Sequence, residues 1–105
     1  MDAASKTILL VEDQEEVRHV VHRVLRAQGH HVLVAASGQD ALRLTVQFTR
    51  PIDLLVTDVM MPDMSGIEVA LLLAPAHPKM KTLYLQKPFT AEGLAQKVRE
   101  VLESP

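Results

Sequence analysis

Acidic and basic side chains in this sequence follow directly on short apolar runs. Asp58 follows one such run, Glu12 and Asp13 follow another, and Lys87 lies shortly after a third. Apolar, β-branched runs of this kind are typical of strands buried on both faces of a parallel sheet. Parallel strands share a carboxyl end, and ligands and reacting groups gather just beyond it. We therefore expect these four residues at one rim of a sheet.

The chemistry that suits this set is the acceptance of a phosphoryl group. Three clustered carboxylates repel one another and call for a cation, and a site with few carboxylate oxygens suits Mg²⁺, which keeps several waters and accepts phosphate oxygens. Asp58 would be the nucleophile, and the ammonium of Lys87 would neutralise one more anionic oxygen. Catalysis in such a site is mostly positioning and charge neutralisation.

Each of these residues also has a simpler interpretation when it is taken alone. Asp58 is equally compatible with a cap on the turn that follows it. Asp13 lies three residues before Glu16, which is the spacing of a helix capping box. Lys87 is compatible with a solvated loop lysine, and Asp63 with a turn residue. The combination at the ends of several strands is what favours a reactive site.

The elements that would position these residues alternate between strand and helix four times. We expect strands over 7–11, 31–35, 54–57 and 81–85. Helix boundaries are predicted at Asp13 and Gly29 for the first helix, at Ser37 for the second, at 67 and 74 for the third, and at Thr90 for the last. This alternation predicts an α/β fold with a parallel sheet and right-handed crossovers.

Composition restricts the remaining possibilities. The chain has 105 residues, of which 48% are hydrophobic, so we expect one domain, residues 1–105, with its own core. With no cysteine, a disulfide and a thiolate metal site are excluded, and a reducing, cytoplasmic location is favoured. The 11 basic residues against 13 acidic ones, with only three aromatics, argue against a nucleic-acid surface. No run is long enough for a signal peptide or a membrane span.

The residues around these strand ends resemble the receiver domain of two-component response regulators. The matching stretches, in the order of the family, are 8–13, 58–66 and 86–89. The resemblance implies a flavodoxin-like, three-layer α/β/α fold. It also implies that Asp58 is the phosphoacceptor, that Glu12, Asp13, Asp58 and the backbone carbonyl of Met60 bind Mg²⁺, and that Lys87 contacts the phosphoryl group. A cis peptide bond is implied between Lys87 and Pro88.

The sequence departs from this family in having four strand–helix units instead of five. Tyr84 lies three positions before Lys87, which leaves no room for a parallel crossover between a fourth and a fifth strand. About one strand and one helix, roughly 20 residues, are missing. The Ser or Thr that usually ends the family's fourth strand is missing with them, and Thr82 lies too early to replace it. Tyr84 matches the family's switch aromatic, so we expect phosphorylation with impaired switch output.

Self-association is expected from two features of the shortened chain. The third helix contains Leu71 and Leu72 at positions where solvated polar residues are usual, and helices that are apolar all round are usually buried. The last strand would either move next to the Asp58 strand or leave a gap, and unpaired sheet edges recruit partners. We expect a homodimer that uses this helix or the last strand.

Two functions follow from these observations. In the first, the chain is a non-enzymatic phosphoacceptor that receives its phosphoryl group from a sensor histidine kinase or a phosphotransfer protein. In the second, it is a degenerate or engineered receiver that serves as a dimerisation or protein-binding module. An aspartate-nucleophile hydrolase is disfavoured because Met60 occupies the place of its second acid, and a nucleotide-binding domain because the first turn is acidic rather than glycine-rich.

Overall fold

The computed structural model describes residues 5–105, in which four strands alternate with four helices. The strands are β1 (Thr7–Val11), β2 (His31–Ala35), β3 (Leu54–Thr57) and β4 (Lys81–Tyr84). The helices are α1 (Glu15–Ala27), α2 (Gly38–Gln47), α3 (Gly66–Leu73) and α4 (Ala91–Glu103). The predicted alternation is therefore confirmed, with boundaries that differ by one or two residues.

The four strands form one parallel sheet in the order β2-β1-β3-β4. This is the flavodoxin-like order without its fifth strand. β4 pairs directly with β3, so that Thr57 lies opposite Tyr84 and the sheet has no gap between them. Of the two arrangements expected for the last strand, the one in which it moves next to the Asp58 strand is the one observed.

Two apolar clusters separate the sheet from its helices and make up the three layers. On one face, alternate strand residues such as Leu10 and Val56 pack with α1 and α4. On the other face, Leu9 and Leu55 pack with α2 and α3. All four side chains have no exposed surface, and burial of an aliphatic side chain contributes about 1.5–3 kcal/mol. Burial on both faces explains why β1 and β3 are continuous apolar runs.

Three of the helices begin at side-chain caps. The hydroxyls of Ser37 and Thr90 accept hydrogen bonds from backbone N–H groups in the first turns of α2 and α4, as predicted. Ser65 forms a full capping box with Glu68 at the start of α3, which the sequence interpretation placed one residue later. Gly29 has a φ of 92° just after α1, as expected for the residue that ends this helix.

The predicted capping box of α1 is wrong. The N-cap residue is Gln14 rather than Asp13, and its side chain makes no capping hydrogen bond. The carboxylate of Asp13 lies instead with those of two other acids beyond the strand ends. The start of α1 has Glu15 and Glu16 in its first turn, where negative charge interacts favourably with the helix dipole.

No helix within residues 5–105 combines the length and the apolar character needed to cross a bilayer.

Candidate functional site

The carboxyl ends of β1 and β3 bring three acids together. Val11 lies opposite Thr57 in the sheet, and the N–H of Asp58 donates to the carbonyl of Val11 at 3.2 Å, so the residues after both strands are neighbours. One carboxylate oxygen from each of Glu12, Asp13 and Asp58 lies within 4.8 Å of the others. Such an arrangement concentrates negative charge at one rim of the sheet.

Glu12 is the buried member of this cluster. Its side chain has no exposed surface, and its Oε2 accepts hydrogen bonds from the N–H of Gln14 at 3.0 Å and from the ammonium of Lys87 at 3.2 Å. Burial raises the pKa of Glu12, with a smaller contribution from the charge of Asp58, against the opposing effect of these hydrogen bonds. Its Oε1 lies 3.1 Å from the same ammonium but accepts no well-directed hydrogen bond.

Lys87 provides the positive charge at the rim. Its Nζ donates to Asp58 Oδ2 at 3.0 Å and to Gln14 Oε1 at 3.3 Å, in addition to its bond with Glu12. Burial alone would lower the pKa of Lys87, but the hydrogen bonds to Asp58 and Glu12, together with their charges, outweigh it and raise this pKa. The Lys87–Pro88 peptide bond is cis, as the resemblance implied.

The loop from Asp58 to Gly66 is closed by its own backbone. The N–H of Gly66 donates to the carbonyl of Val59 at 2.9 Å. A Cβ atom at Gly66 would lie 2.1 Å from the carbonyl oxygen of Asp58 and 2.8 Å from side-chain atoms of Thr57. Only glycine allows the backbone at position 66 to lie this close to Asp58 and Thr57. This close contact fixes the backbone of Asp58 relative to the start of α3.

Asp63 fastens the same loop to α2. Its carboxylate accepts hydrogen bonds from the N–H of Gln39 at 2.8 Å and of Gly38 at 3.3 Å. The hydrogen bond from Gln39 makes the largest contribution to a lowered pKa of Asp63. The sequence interpretation of Asp63 as a turn residue missed this role, because nothing near it in the sequence points to a helix start 25 residues away.

Arg18 and Gln14 are two further residues of the rim that sequence reasoning missed. The guanidinium of Arg18 donates to the carbonyl of Glu12 at 2.9 Å and more weakly to that of Asp13 at 3.4 Å, which holds the turn between β1 and α1. Gln14 contacts Lys87 across 73 residues of sequence. A charged residue in the first turn of a helix and a polar residue at its N-cap are both common. Neither feature therefore indicates such a contact from the sequence.

The donor set fits a hydrated divalent cation. Three carboxylates face one ammonium, so negative charge is in excess when all are ionised. Oε1 of Glu12 is buried without a hydrogen bond, and a metal ion would satisfy it. Carboxylate oxygens with open positions for water are the environment in which Mg²⁺ is usually bound.

The structure thus brings together the predicted residues Glu12, Asp13, Asp58 and Lys87, and their functional roles stay predictions. Met60, whose backbone carbonyl is the remaining predicted ligand, lies in the same loop with its side chain 79% exposed. Thr82 lies opposite Leu55, well before the strand end.

Comparison with known proteins gives a consistent set of similarities. The profile of the response regulator receiver domain matches residues 8–85. The chain is 34% identical over 122 residues to the sensor kinase CckA of Brucella abortus, covering 96% of this chain and 13% of CckA. It is 34% identical over 80 residues to the receiver protein CpdR of the same organism, covering 76% of this chain and 65% of CpdR.

A solved structure, the receiver domain of the hybrid histidine kinase CckA, superimposes with a TM-score of 0.75 at 34% identity, covering 92% of this chain and 99% of that one. This chain therefore spans less than two thirds of each of these two curated relatives but nearly all of an isolated domain. The CckA alignment is longer than this chain of 105 residues, so CckA carries additional residues within the aligned region.

Proposed function

This chain belongs to the response regulator receiver domain family, and on that premise we propose that it accepts a phosphoryl group on Asp58. The observation that carries the proposal is the position of Asp58 Oδ2, 3.0 Å from the ammonium of Lys87 and beside the carboxylates of Glu12 and Asp13. The donor would be a phosphohistidine of a sensor histidine kinase or a phosphotransfer protein. Kinase-linked names among the relatives support a partner of this kind.

In the proposed reaction a carboxylate oxygen of Asp58 attacks phosphorus, and the phosphorus–nitrogen bond of the donor breaks. The imidazole leaves with its electron pair and takes up a proton, and the product is an acyl phosphate on Asp58. Lys87 would hold one phosphoryl oxygen by its ammonium, since it already faces Asp58. A lysine is charged at neutral pH, and the raised pKa of Lys87 preserves this charge to higher pH.

Glu12, Asp13, Asp58 and the carbonyl of Met60 would hold Mg²⁺, which when bound supplies positive charge to the phosphoryl oxygens. Glu12 would contribute its unsatisfied Oε1. The hydrogen bond from Gln14 fixes the orientation of this carboxylate from the other side. We infer that the carboxylates are positioned by the ends of β1 and β3 and need little rearrangement for this role.

We also propose that phosphorylation is poorly transmitted. A switch requires two conformations that bind the phosphoryl group differently. Thr57 is fully buried and its hydroxyl donates to the carbonyl of Asp58, so it is not free to follow a phosphoryl group. Tyr84 lies in β4 opposite Thr57, and the two residues that follow it, Leu85 and Gln86, carry no hydroxyl that could bind a phosphoryl group. We further propose a cytoplasmic location and a phosphorylated rather than an enzymatic role.

The test is phosphorylation of the purified chain by a small acyl phosphate in the presence and absence of Mg²⁺, read by intact mass. Asp58→Asn is the matched control. We expect an acid-stable, base-labile adduct that requires both Mg²⁺ and Asp58. Beryllofluoride binding, followed by amide NMR shifts at the rim, gives an independent measurement. Failure of both would favour the alternative function, a receiver fold retained as a protein-binding module.

A further inference from the structure

The outer edge of β4 is an unpaired strand edge. β4 is the last strand of the sheet. The N–H groups of Lys81 and Leu85 are directed towards β3, where that of Leu85 donates to the carbonyl of Thr57 at 2.9 Å. Because backbone groups alternate along a strand, those of Thr82 and Tyr84 point away from β3. Within residues 5–105 these outward groups have no hydrogen-bond partner.

Charged side chains of β4 do not protect this short edge strand against pairing. Soluble proteins commonly place lysine, proline or a bulge on such edges. The one charged residue of β4 is Lys81, whose ammonium donates to the carbonyls of Val101, at 2.9 Å, and of Ser104 at the end of α4. Its charge is therefore held against the helix, and the following residues of the strand are uncharged.

A groove runs beside the edge, between β4 and α4. Its volume is about 450 Å³, and its apolar lining includes Leu83, Leu85, Phe89 and Leu94. All four residues of β4 are only partly buried, in contrast to the fully buried β3. An additional strand at this edge would cover the groove and satisfy the outward backbone groups together.

We propose that the strand which occupies this edge is β4 of a second copy of the chain. Two identical edges related by a two-fold axis pair antiparallel. With the axis at Leu83, Thr82 of each copy lies opposite Tyr84 of the other, and each such pair exchanges both of its N–H···O=C bonds. Leu83 packs in the cluster beneath α1 and α4, so the side chains of Thr82 and Tyr84 lie together on the opposite face. Aromatic and β-branched residues in cross-strand pairs are favourable.

The charges on α4 favour a second copy over an unrelated peptide. Lys97 lines the groove, and Glu100 follows it three residues later, with both side chains exposed. The contact of Lys81 with the end of α4, and the cluster that holds Leu85 with Leu94, place the middle of α4 at the level of Leu83. The two-fold axis therefore brings two antiparallel α4 helices together, with Lys97 of each copy opposite Glu100 of the other.

Sedimentation velocity over a concentration series tests this interface. We expect a dimer of the unmodified chain at roughly tens of micromolar. Thr82→Pro removes an outward N–H and leaves the hydrogen bonds to β3 in place, so it should weaken dimerisation at least about tenfold. Circular dichroism and the urea midpoint, measured on the same sample, establish that the variant is folded.

Exchanging the charges of Lys97 and Glu100 tests whether the strand that pairs with this edge belongs to a second copy of the chain. Lys97→Glu and Glu100→Lys should each weaken dimerisation about tenfold, because two attractive contacts become repulsive, and the double variant should restore it. Leu71→Glu on the exposed face of α3 is the matched control and should have no effect. A monomer at all concentrations, no rescue in the double variant, or a dimer that is lost only with Leu71→Glu would overturn the proposal. None of these residues touches the acidic rim, so the result is independent of phosphorylation.

Discussion

Removal of the ammonium at the rim is the most direct perturbation of the site. In Lys87→Met the side-chain volume is nearly kept, while Glu12 and Asp58 lose a cation at 3.1 and 3.0 Å. Glu12 is fully buried and would retain only the N–H of Gln14 as a partner. Without bound metal, the variant therefore keeps an uncompensated carboxylate in the protein interior.

The expected decrease in the free energy of unfolding of Lys87→Met lies between two limits. Breaking a fully buried ion pair costs about 3–5 kcal/mol, and breaking an exposed one about 0.2–1 kcal/mol. The Lys87 side chain is 31% exposed and that of Glu12 is not exposed. We expect a loss of about 2 kcal/mol near neutral pH, which is a fall in Tm of roughly 10 °C for a domain of this size.

The pH dependence follows from the two pKa shifts. The raised pKa of Lys87 means that its contribution is fully present below its ordinary pKa and is lost as the pH rises through the raised value. At low pH, Glu12 takes up a proton more readily in the folded chain than in the unfolded one, because its pKa is raised. A protonated Glu12 needs no cation, so the difference between the two proteins should also shrink as the pH falls towards the ordinary pKa of a glutamate.

Urea denaturation in the presence of a chelator, at about pH 7.5 and about pH 5, measures these differences. Glu12→Gln, alone and combined with Lys87→Met, completes a double-mutant cycle in which Lys87→Met should cost little once Glu12 is neutral. Excess Mg²⁺ should recover part of the stability of Lys87→Met. Equal stability of Lys87→Met and the unmodified chain at neutral pH without metal would refute the assignment of Lys87 as the counter-ion of Glu12.

Three further predictions concern the rim and its loop. Asp13 makes no ion pair among the described residues, so Asp13→Asn should stabilise the metal-free chain by about 0.5 kcal/mol, measured by urea denaturation. The same variant should bind Mg²⁺ more weakly in calorimetry, and an unchanged Mg²⁺ affinity would exclude Asp13 as a ligand. Gly66→Ala should cost about 2–3 kcal/mol in urea denaturation because its Cβ would meet the carbonyl of Asp58, and a neutral effect would show that the loop adapts. Asp63→Ala should lower the urea midpoint near neutral pH. Because the pKa of Asp63 is lowered, this difference should vanish as the pH falls through the lowered value, and a pH-independent difference would contradict its role as a cap of α2.

The strands, the helices and the position of the charged residues at the rim could be predicted from the sequence, because they depend on local patterns. Apolar runs such as 54–57 are long enough to identify buried strands, and an acid directly after such a run is placed at the strand end by the chain itself. The caps at Ser37 and Thr90 were predictable for the same reason. The sequence does not show whether a polar side chain binds a residue close to it in the chain or one that is distant in the chain. The spacing of Asp13 and Glu16 fits a capping box, but the carboxylate of Asp13 lies with acids from another strand.

Contacts across long sequence separations were missed in the same way. Asp63 caps a helix that starts 25 residues before it, and Gln14 reaches a lysine 73 residues later. Neither contact has a signature of its own, because aspartate in turns and glutamine near helix starts are common in many contexts. Their positions follow from the sheet order and register, which are properties of the whole fold.

The loss of one strand–helix unit changes the neighbour of the last strand. Because β4 pairs directly with β3, with Tyr84 opposite Thr57, the residue three positions beyond it still reaches Asp58. β4 is also the edge of the sheet, as the last strand is in the order 2-1-3-4-5, and its outward backbone groups are unpaired among the described residues. The lysine of the charged rim and the open edge are thus both supplied by residues 81–87. The two properties reside on different residues, so variants at Lys87 should change the first and variants at Thr82 the second.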